Sequence, residues 1–531
     1  MHNVTLKSYQ AMVTSPHYMA TAVGSAILQE GGNAFDAAVA ISAALAVTYP
    51  HMTGLGGDAF FLMYSAETGM YTAYNGSGRS GAQLNRDYYT NRGLTSIPQR
   101  GIDSAITVPG MVDAWHAVSE RYGSVSWEKL LEPAVRYAKQ GIPVSRNLEH
   151  WITRSSEALH ADPKLNGLYY PQGRPLKEGD RLIQADLAAT LTVIQAEGRE
   201  TFYTGKIMQS ITQAIQNDKG LLTSEDFISH QGEWVVPLST SYRDYELYQL
   251  PPNSQGFSAL MMMNMLEHIN LSQIPRESAL YYHLMTEVTK RAFADRDAYL
   301  TDPGFRNIPL EMLLSKSYAL QQLNSIRLEA PQAASFMSPA MGQDTAYAAV
   351  MDSQGNAVSF IQSLYYDFGS AYSAGSTGVV MQNRGSFFSL DASHPNVLEP
   401  GKRSFHTLMP AMASRNGKPY LLYGTQGGEG QPQTQLSIVT AVLDYGLNID
   451  EAIRKPRWVY GRTWGDSGDT LKLEGRIPEE ITQELATWGH AVERVGNWDG
   501  MMGQSQGIQV SSDGAMIGAA DPRGDGSVIG W

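Results

Sequence analysis

Thr345 opens the run TAYAAVMD directly after EAPQAASFMSPAMGQD, a stretch over 329–344 of small, weakly patterned residues that reads as a linker. Two apolar runs then flank SQGN, the pattern of a β-hairpin. With the loop at 352–356, Met351 faces Ala357 and Thr345 faces Ser363. Opposed residues hold their Cβ atoms roughly 4.5–5.5 Å apart, so two hydroxyls would meet at the open end of the hairpin. A slip of one residue would part them. Taken alone, a threonine at such a junction is an ordinary strand starter. A second segment, LLYGTQGGEGQPQ at 421–433, carries an apolar run into Gly427 and Gly428. It reads as a turn after a strand, or as a pair of backbone N–H groups bare of side chains, the kind that forms an oxyanion hole. A third, GKRSFHTLMPAM at 401–412, gathers Lys, Arg, His and Thr ahead of an apolar run and by itself could be a solvated loop.

Other chemistries are disfavoured. The 531 residues include no cysteine, which removes disulfides, thiolate metal sites and a cysteine nucleophile. There is no G-x-S-x-G elbow, no H-E-x-x-H and no Walker loop, and the twelve histidines are scattered, so no metal and no cofactor is expected. Ser126 and Lys129 match S-x-x-K, but the companion S-D-N and K-T-G motifs are missing. Ser126 reads instead as the N-cap of a helix. GLGG at 54–57 lacks the third glycine of a dinucleotide loop and precedes a strand rather than following one. A net charge of −13 argues against a nucleic-acid partner. No run reaches the roughly 18 apolar residues of a membrane span, and the N-terminal residues do not read as a secretory signal, so a cytoplasmic protein is expected.

The elements that must hold these residues follow from the pattern. Residues 20–48 predict two helices parted by GGN at 31–33, with a strand at 59–64 after the glycine turn. Further helices are expected over 126–140, 185–230 and 278–302, the second of these regions carrying a cap at GLLTSEDF, 220–227. With 43% hydrophobic and 17% charged residues, the chain can bury a large core.

Several fragments, in one order, resemble the γ-glutamyltranspeptidase family: GGNAFDAAVA, PHMTGLGGDAFF, ITVPGMVDAW, FYTGK, GLLTSEDF, DTAYAAVMDSQGNAVSFIQS, GKRSFHTLMPAM, YGTQGGEG, DYGLNIDEAIRKPRW and GAADPRGDG. They run from about residue 12 to 528. The resemblance implies an N-terminal-nucleophile hydrolase of α+β class, a four-layer αββα sandwich. It implies a proenzyme that cuts itself between Asp344 and Thr345 into a large chain, 1–344, and a small chain, 345–531, forming one domain. Two such heterodimers could pair. Thr345 would be the nucleophile and its freed α-amino group the base. An α-amino pKa of about 7.7–8.0 leaves part of that group neutral near pH 7. Gly427 and Gly428 match the family's oxyanion-hole glycines, and Ser363 the residue whose hydroxyl bonds the N-terminal threonine.

The departures from the family pattern bear on the substrate. In GVVMQNRGSFFS, Phe387 stands where glutathione-cleaving members carry the aspartate that binds the substrate ammonium. Tyr365 replaces an asparagine, and His406-Thr407 replaces a serine pair that holds the α-carboxylate. Arg86 matches the large-chain arginine that pairs with that carboxylate. The resemblance therefore implies hydrolysis of a small acidic amide without an ammonium, best matched by oxamate going to oxalate and ammonia in purine breakdown. The alternatives are a γ-glutamyltransferase or glutathione hydrolase, an acylase-like amidase, and a scaffold without catalysis.

Overall fold

The computed structural model describes residues 5–327, 344–461 and 468–531, with the backbone alone at Asp344. The expected linker lies outside the described residues, apart from that backbone.

The hairpin forms as the apolar pattern predicts. Strands Asp344–Met351 and Ala357–Tyr365 pair antiparallel, Met351 opposite Ala357 and Ala346 opposite Gln362. The count breaks at one place: Asp344 pairs with Tyr365, so Ser363 and Leu364 together stand opposite Thr345, and the extra residue, a bulge, lies in the second strand. Bulges re-aim a side chain and end pairing, and are over-represented beside active sites. The hairpin sits inside a seven-stranded antiparallel sheet. Across it run Ser527–Gly530, Met12–Ser15, the two hairpin strands, Asp58–Ser65, Met70–Asn75 and Glu233–Val235. A second seven-stranded sheet runs Leu6–Ser8, Met516–Ala520, Ser505–Val510, Lys418–Thr425, Ala411–Arg415, Tyr245–Gln249 and Leu238–Tyr242.

Side-chain alternation assigns the layers. Tyr347, Ala349, Met351, Phe60, Leu62 and Ile361 meet Met412, Leu422 and Ile508 in a core between the sheets. The intervening Ala346, Ala348, Val350, Phe61 and Phe360 face helices Tyr18–Gln29, Ala34–Thr48 and Trp127–Gln140 on one outer side. Leu247, Ala413, Leu421 and Tyr423 face helices Gly256–Leu266, Ala279–Tyr299 and Gln431–Leu443 on the other. The four layers are helix, sheet, sheet, helix, the expected sandwich.

The helix that backs the hairpin is set by its start. Asn33 and Asp36 form a capping box, and all residues of Ala34–Thr48 are buried. Its many alanines let it lie flat between the sheet and the outer helices. The region 185–230 is broken into Ala185–Glu197, Glu200–Tyr203, Lys206–Asn217 and Ser224–Ile228, the last capped by Thr223 and Asp226. Ser126 does occupy the N-cap position of Trp127–Gln140, yet its hydroxyl makes no capping hydrogen bond, and Lys129 pairs with Glu30 at 2.8 Å.

Candidate active site

The open end of the hairpin is where the two sheets and the helix Gln431–Leu443 converge. Thr345, 1% exposed, belongs to the alternation that faces the second sheet, and Gln431 Nε2 reaches its Oγ1 at 3.5 Å. Gln431 is the first residue of its helix, so the positive end of that helix lies over Thr345. Just before it, the strand Lys418–Thr425 ends in a turn through Gly427 (φ 130) and Gly428 (φ 51). Both are in the left-handed region that favours glycine, which is why two glycines stand there. The turn is fixed by Gln255, whose Nε2 donates to the carbonyls of Gly428 and Thr407, each at 2.9 Å. Buried Arg296 in turn bonds Gln255 Oε1 at 3.1 Å and pairs with Asp297 and Glu429. A cavity of about 440 Å³ lined by Arg146, His150, Gln426, Gln504 and Asp525 opens beside this turn.

On the other side of its strand, Ser363, one of the two bulge residues, is paired with Asp58 of the next strand. All three, Thr345, Ser363 and Asp58, fall in the alternation that faces the gap between the sheets. Ser363 Oγ accepts from the backbone N–H of Tyr365 at 2.7 Å. The GLGG turn lets this row sit close to its surroundings. A Cβ at Gly57 would come within 2.3 Å of the Ser363 carbonyl, and one at Gly56 within 1.9 Å of Val380 O. Those glycines serve close backbone approach, not a phosphate. Tyr365 itself has φ 87, unusual for a residue with a side chain and worth roughly 1–3 kcal/mol of strain. Its ring stacks on Tyr366 at 4.8 Å and meets Phe387 at 5.1 Å; Phe387 meets Phe405 at 4.6 Å.

Two residues expected to grip an anion are placed otherwise. Arg86 begins the short helix Arg86–Thr90, capped by Asn85, and donates to the Leu390 carbonyl at 3.1 Å. It is not brought to the group around Thr345. His406 has both ring nitrogens engaged: Nε2 with Asp58 Oδ2 at 3.1 Å, and Nδ1 accepting from Leu408 N at 3.3 Å. Burial, then the Arg384 charge, holds its pKa well below the ordinary value, so it stays neutral and cannot also hold a substrate carboxylate. Burial likewise raises the Asp58 carboxyl to about 7, against the pull of Arg384, Gln382 and the N–H groups of Gly110 and Gly78. Thr407, in contrast, is at the site, its Oγ1 accepting from Arg384 Nη1 at 3.2 Å.

Arg384, Asp58 and Gln255 are the residues that sequence reading missed. Arg384 and Asp58 sit inside quoted motifs as GVVMQNRG and GLGGD, but only the fold brings their charges near enough to act on each other. A further non-local cluster, His283, Glu287 and His490, has ligand atoms within 4.8 Å of one another. There the His283 and His490 rings are hydrogen-bonded at 2.8 Å, and burial, first, lowers His490 to about 4, so His490 stays neutral near pH 7.

The γ-glutamyltranspeptidase family model matches residues 20–531. A glutathione hydrolase-like proenzyme, YwrD, of Bacillus subtilis is 52% identical over 99% of this chain and 100% of its own. The oxamate amidohydrolase proenzyme of Klebsiella pneumoniae is 36% identical over the full length of both. The solved cephalosporin acylase from Bacillus halodurans superposes with a TM-score of 0.93 at 34% identity, covering 100% of this chain and 97% of that one. Among the described residues no helix is long and apolar enough to cross a membrane. With its sandwich, its hairpin and its full-length relatives, the chain belongs to the γ-glutamyltranspeptidase family of N-terminal-nucleophile hydrolases, enzymes that act on amide bonds and are made as proenzymes.

Proposed function

We propose that the protein cuts itself between Asp344 and Thr345 and then hydrolyses a small acidic amide, with oxamate the best match. The two products of processing, 1–344 and 345–531, stay together as one domain. In the mature site the Thr345 hydroxyl attacks the substrate carbonyl while the free α-amine takes its proton. The oxyanion is stabilised by N–H groups of Gly427 and Gly428 and by the helix end behind them. Collapse expels ammonia, which carries the proton away, and leaves an ester on Thr345. Water then attacks that ester, releasing the acid and restoring the hydroxyl. Ser363 orients the threonine.

The observation that carries the choice of substrate is the aromatic wall. Phe387 packs between Tyr365 and Phe405, and two nearby sets of buried carboxylates are already engaged: Asp58 by His406, Gln382, Gly78 and Gly110, and Asp297 and Glu429 by Arg296, which lies over the Phe405 ring. An ammonium placed there would lose its hydration without gaining a partner. A second reading, cleavage of glutathione or another γ-glutamyl amide, is favoured by the name of the relative at 52% identity. The test is kcat/KM for oxamate, glutathione and a panel of simple amides, read by ammonia or glutamate release. A clear preference for glutathione overturns the acidic-amide reading.

A further inference from the structure

Buried arginines in this chain follow a rule that Arg384 breaks. Arg296 pairs with Asp297 and Glu429, Arg457 with Asp521, Arg523 with Asp521 and Glu474, and Arg403 with Glu233. Each burial is offset by a carboxylate in contact, as removing a guanidinium from water requires. Arg384 is just as buried, at 1% exposure. Among the described residues its one hydrogen bond is from Nη1 to Thr407 Oγ1, and Nε has no acceptor. Asp58 acts on it only through space, since Oδ1 is taken by Gly78, Gly110 and Gln382 and Oδ2 by His406. Burial brings the guanidinium down to about 10, which leaves it charged at neutral pH.

The surroundings of this cation are shaped for a flat anion. The guanidinium lies over the Tyr365 ring at 4.1 Å, with Phe387 at 6.0 Å. Covering its face leaves the N–H groups of its edge to address an acceptor in plane, the arrangement in which arginine takes a carboxylate with two parallel bonds. The edge is also close to the reacting centre. Thr407, which holds Nη1, shares the Gln255 amide with Gly428, so their carbonyls are within two hydrogen-bond lengths of each other. Tyr365, which supports the face, donates its backbone N–H to Ser363.

We propose that Arg384 grips the carboxylate of the substrate, and that the acyl group it fits is short, with the carboxylate joined to the scissile carbonyl or one carbon away. The proposal rests on the acidic-amide reading given above and names the residue that enforces it. Arg384 is a binding residue here; Thr407 and Tyr365 position it.

The test compares processed wild type with Arg384→Gln and Arg384→Lys on oxamate, malonamate, succinamate and the neutral diamide oxamide. Wild type should decline along the series from oxamate to succinamate. In Arg384→Gln, kcat/KM for oxamate should fall about 100-fold more than for oxamide, mostly through KM, the size expected for one partner of a buried charge pair. Arg384→Lys should fall between the two, because a point charge cannot copy the fork. If Arg384→Gln keeps the wild-type ratio of oxamate to oxamide within about threefold, the role of Arg384 is overturned while the acidic-amide reading stands. If wild type prefers glutathione to every acidic amide, that reading falls instead. Should Arg384→Gln not fold, oxalate on wild type and Thr407→Val decides. Oxalate should inhibit wild type competitively and raise its melting temperature, and do both less in Thr407→Val; equal response in the two overturns the proposal.

Discussion

Three neutral groups stand around Thr345 among the described residues: the Gln431 amide, the Ser363 hydroxyl one strand away and the glycine turn at 427–428. Around Arg384, also on the Ser363 side of the sheet, the material is different: a buried guanidinium, a buried carboxyl and an imidazole, roofed by aromatic rings. The contrast follows from what each end has to do. A fixed negative charge beside Thr345 would oppose the oxyanion, and a fixed positive one would keep the α-amine from accepting a proton. Recognition of an ionised substrate needs the charge that the reacting end must avoid. On the proposed function, one strand spacing and a wall of rings let both conditions hold at one end of the sheets, and Gln255 ties the two groups together.

The sharpest way to break this division is to remove the reacting end alone. Thr345→Ala should abolish both processing and turnover, leaving one uncut chain of 531 residues by mass spectrometry, while oxalate still raises its melting temperature. A variant that splits at the same bond would show that Thr345 is not the processing nucleophile. Next in size is the tie. Gln255→Leu loosens both Gly428 and Thr407, so kcat should fall roughly 10- to 100-fold and KM for oxamate should rise with it. A change in kcat alone would mean the two ends are independent.

Ser363→Ala is a smaller perturbation at the neutral end. On the proposed role of Ser363, removing its hydroxyl should lower kcat about tenfold, with KM nearly constant, the mark of an interaction made in the transition state. Unchanged kinetics would mean that Ser363 does not orient Thr345. The smallest expected effect separates the ends by pH. Burial holds Asp58 near 7, facing His406 and Arg384. Above that value its negative charge competes with the substrate for Arg384; below it the carboxyl is neutral. KM for oxamate should therefore fall several-fold as pH drops through about 7, and Asp58→Asn should flatten the trend at the low value. On the proposed mechanism the α-amine of Thr345 titrates in kcat, so KM is the parameter to follow.

What could be read from residue order was what depends on neighbours in the chain. Alternation and a turn signal were enough for the pairing of Met351 with Ala357, and the glycine pair at 427–428 announced its own backbone geometry. The bulge at Ser363 and Leu364, opposite Thr345, was not legible, because nothing in the local pattern marks the extra residue or the φ of 87 at Tyr365 that follows it. The charged end was read least well. An arginine destined for burial looks like any other until its acceptors can be counted: Arg86 carries a motif match, whereas only its tertiary setting sets Arg384 apart. His406 sat in the expected place, but its nitrogens were already spent on Asp58 and Leu408, which no spacing rule reveals.

The strands on either side of the proposed cut are interleaved. Met12–Ser15 and Asp58–Ser65 flank the hairpin that begins at Asp344, and Leu6–Ser8 and Tyr245–Gln249 bound the four later strands of the other sheet. Two separate polypeptides would have to thread between one another to reach this arrangement, whereas a single chain reaches it by folding. A cut at Asp344–Thr345 would thus make the architecture a record of its own history. The severed molecule would resist heat by the slowness of its unfolding, and once melted its halves would not find their way back.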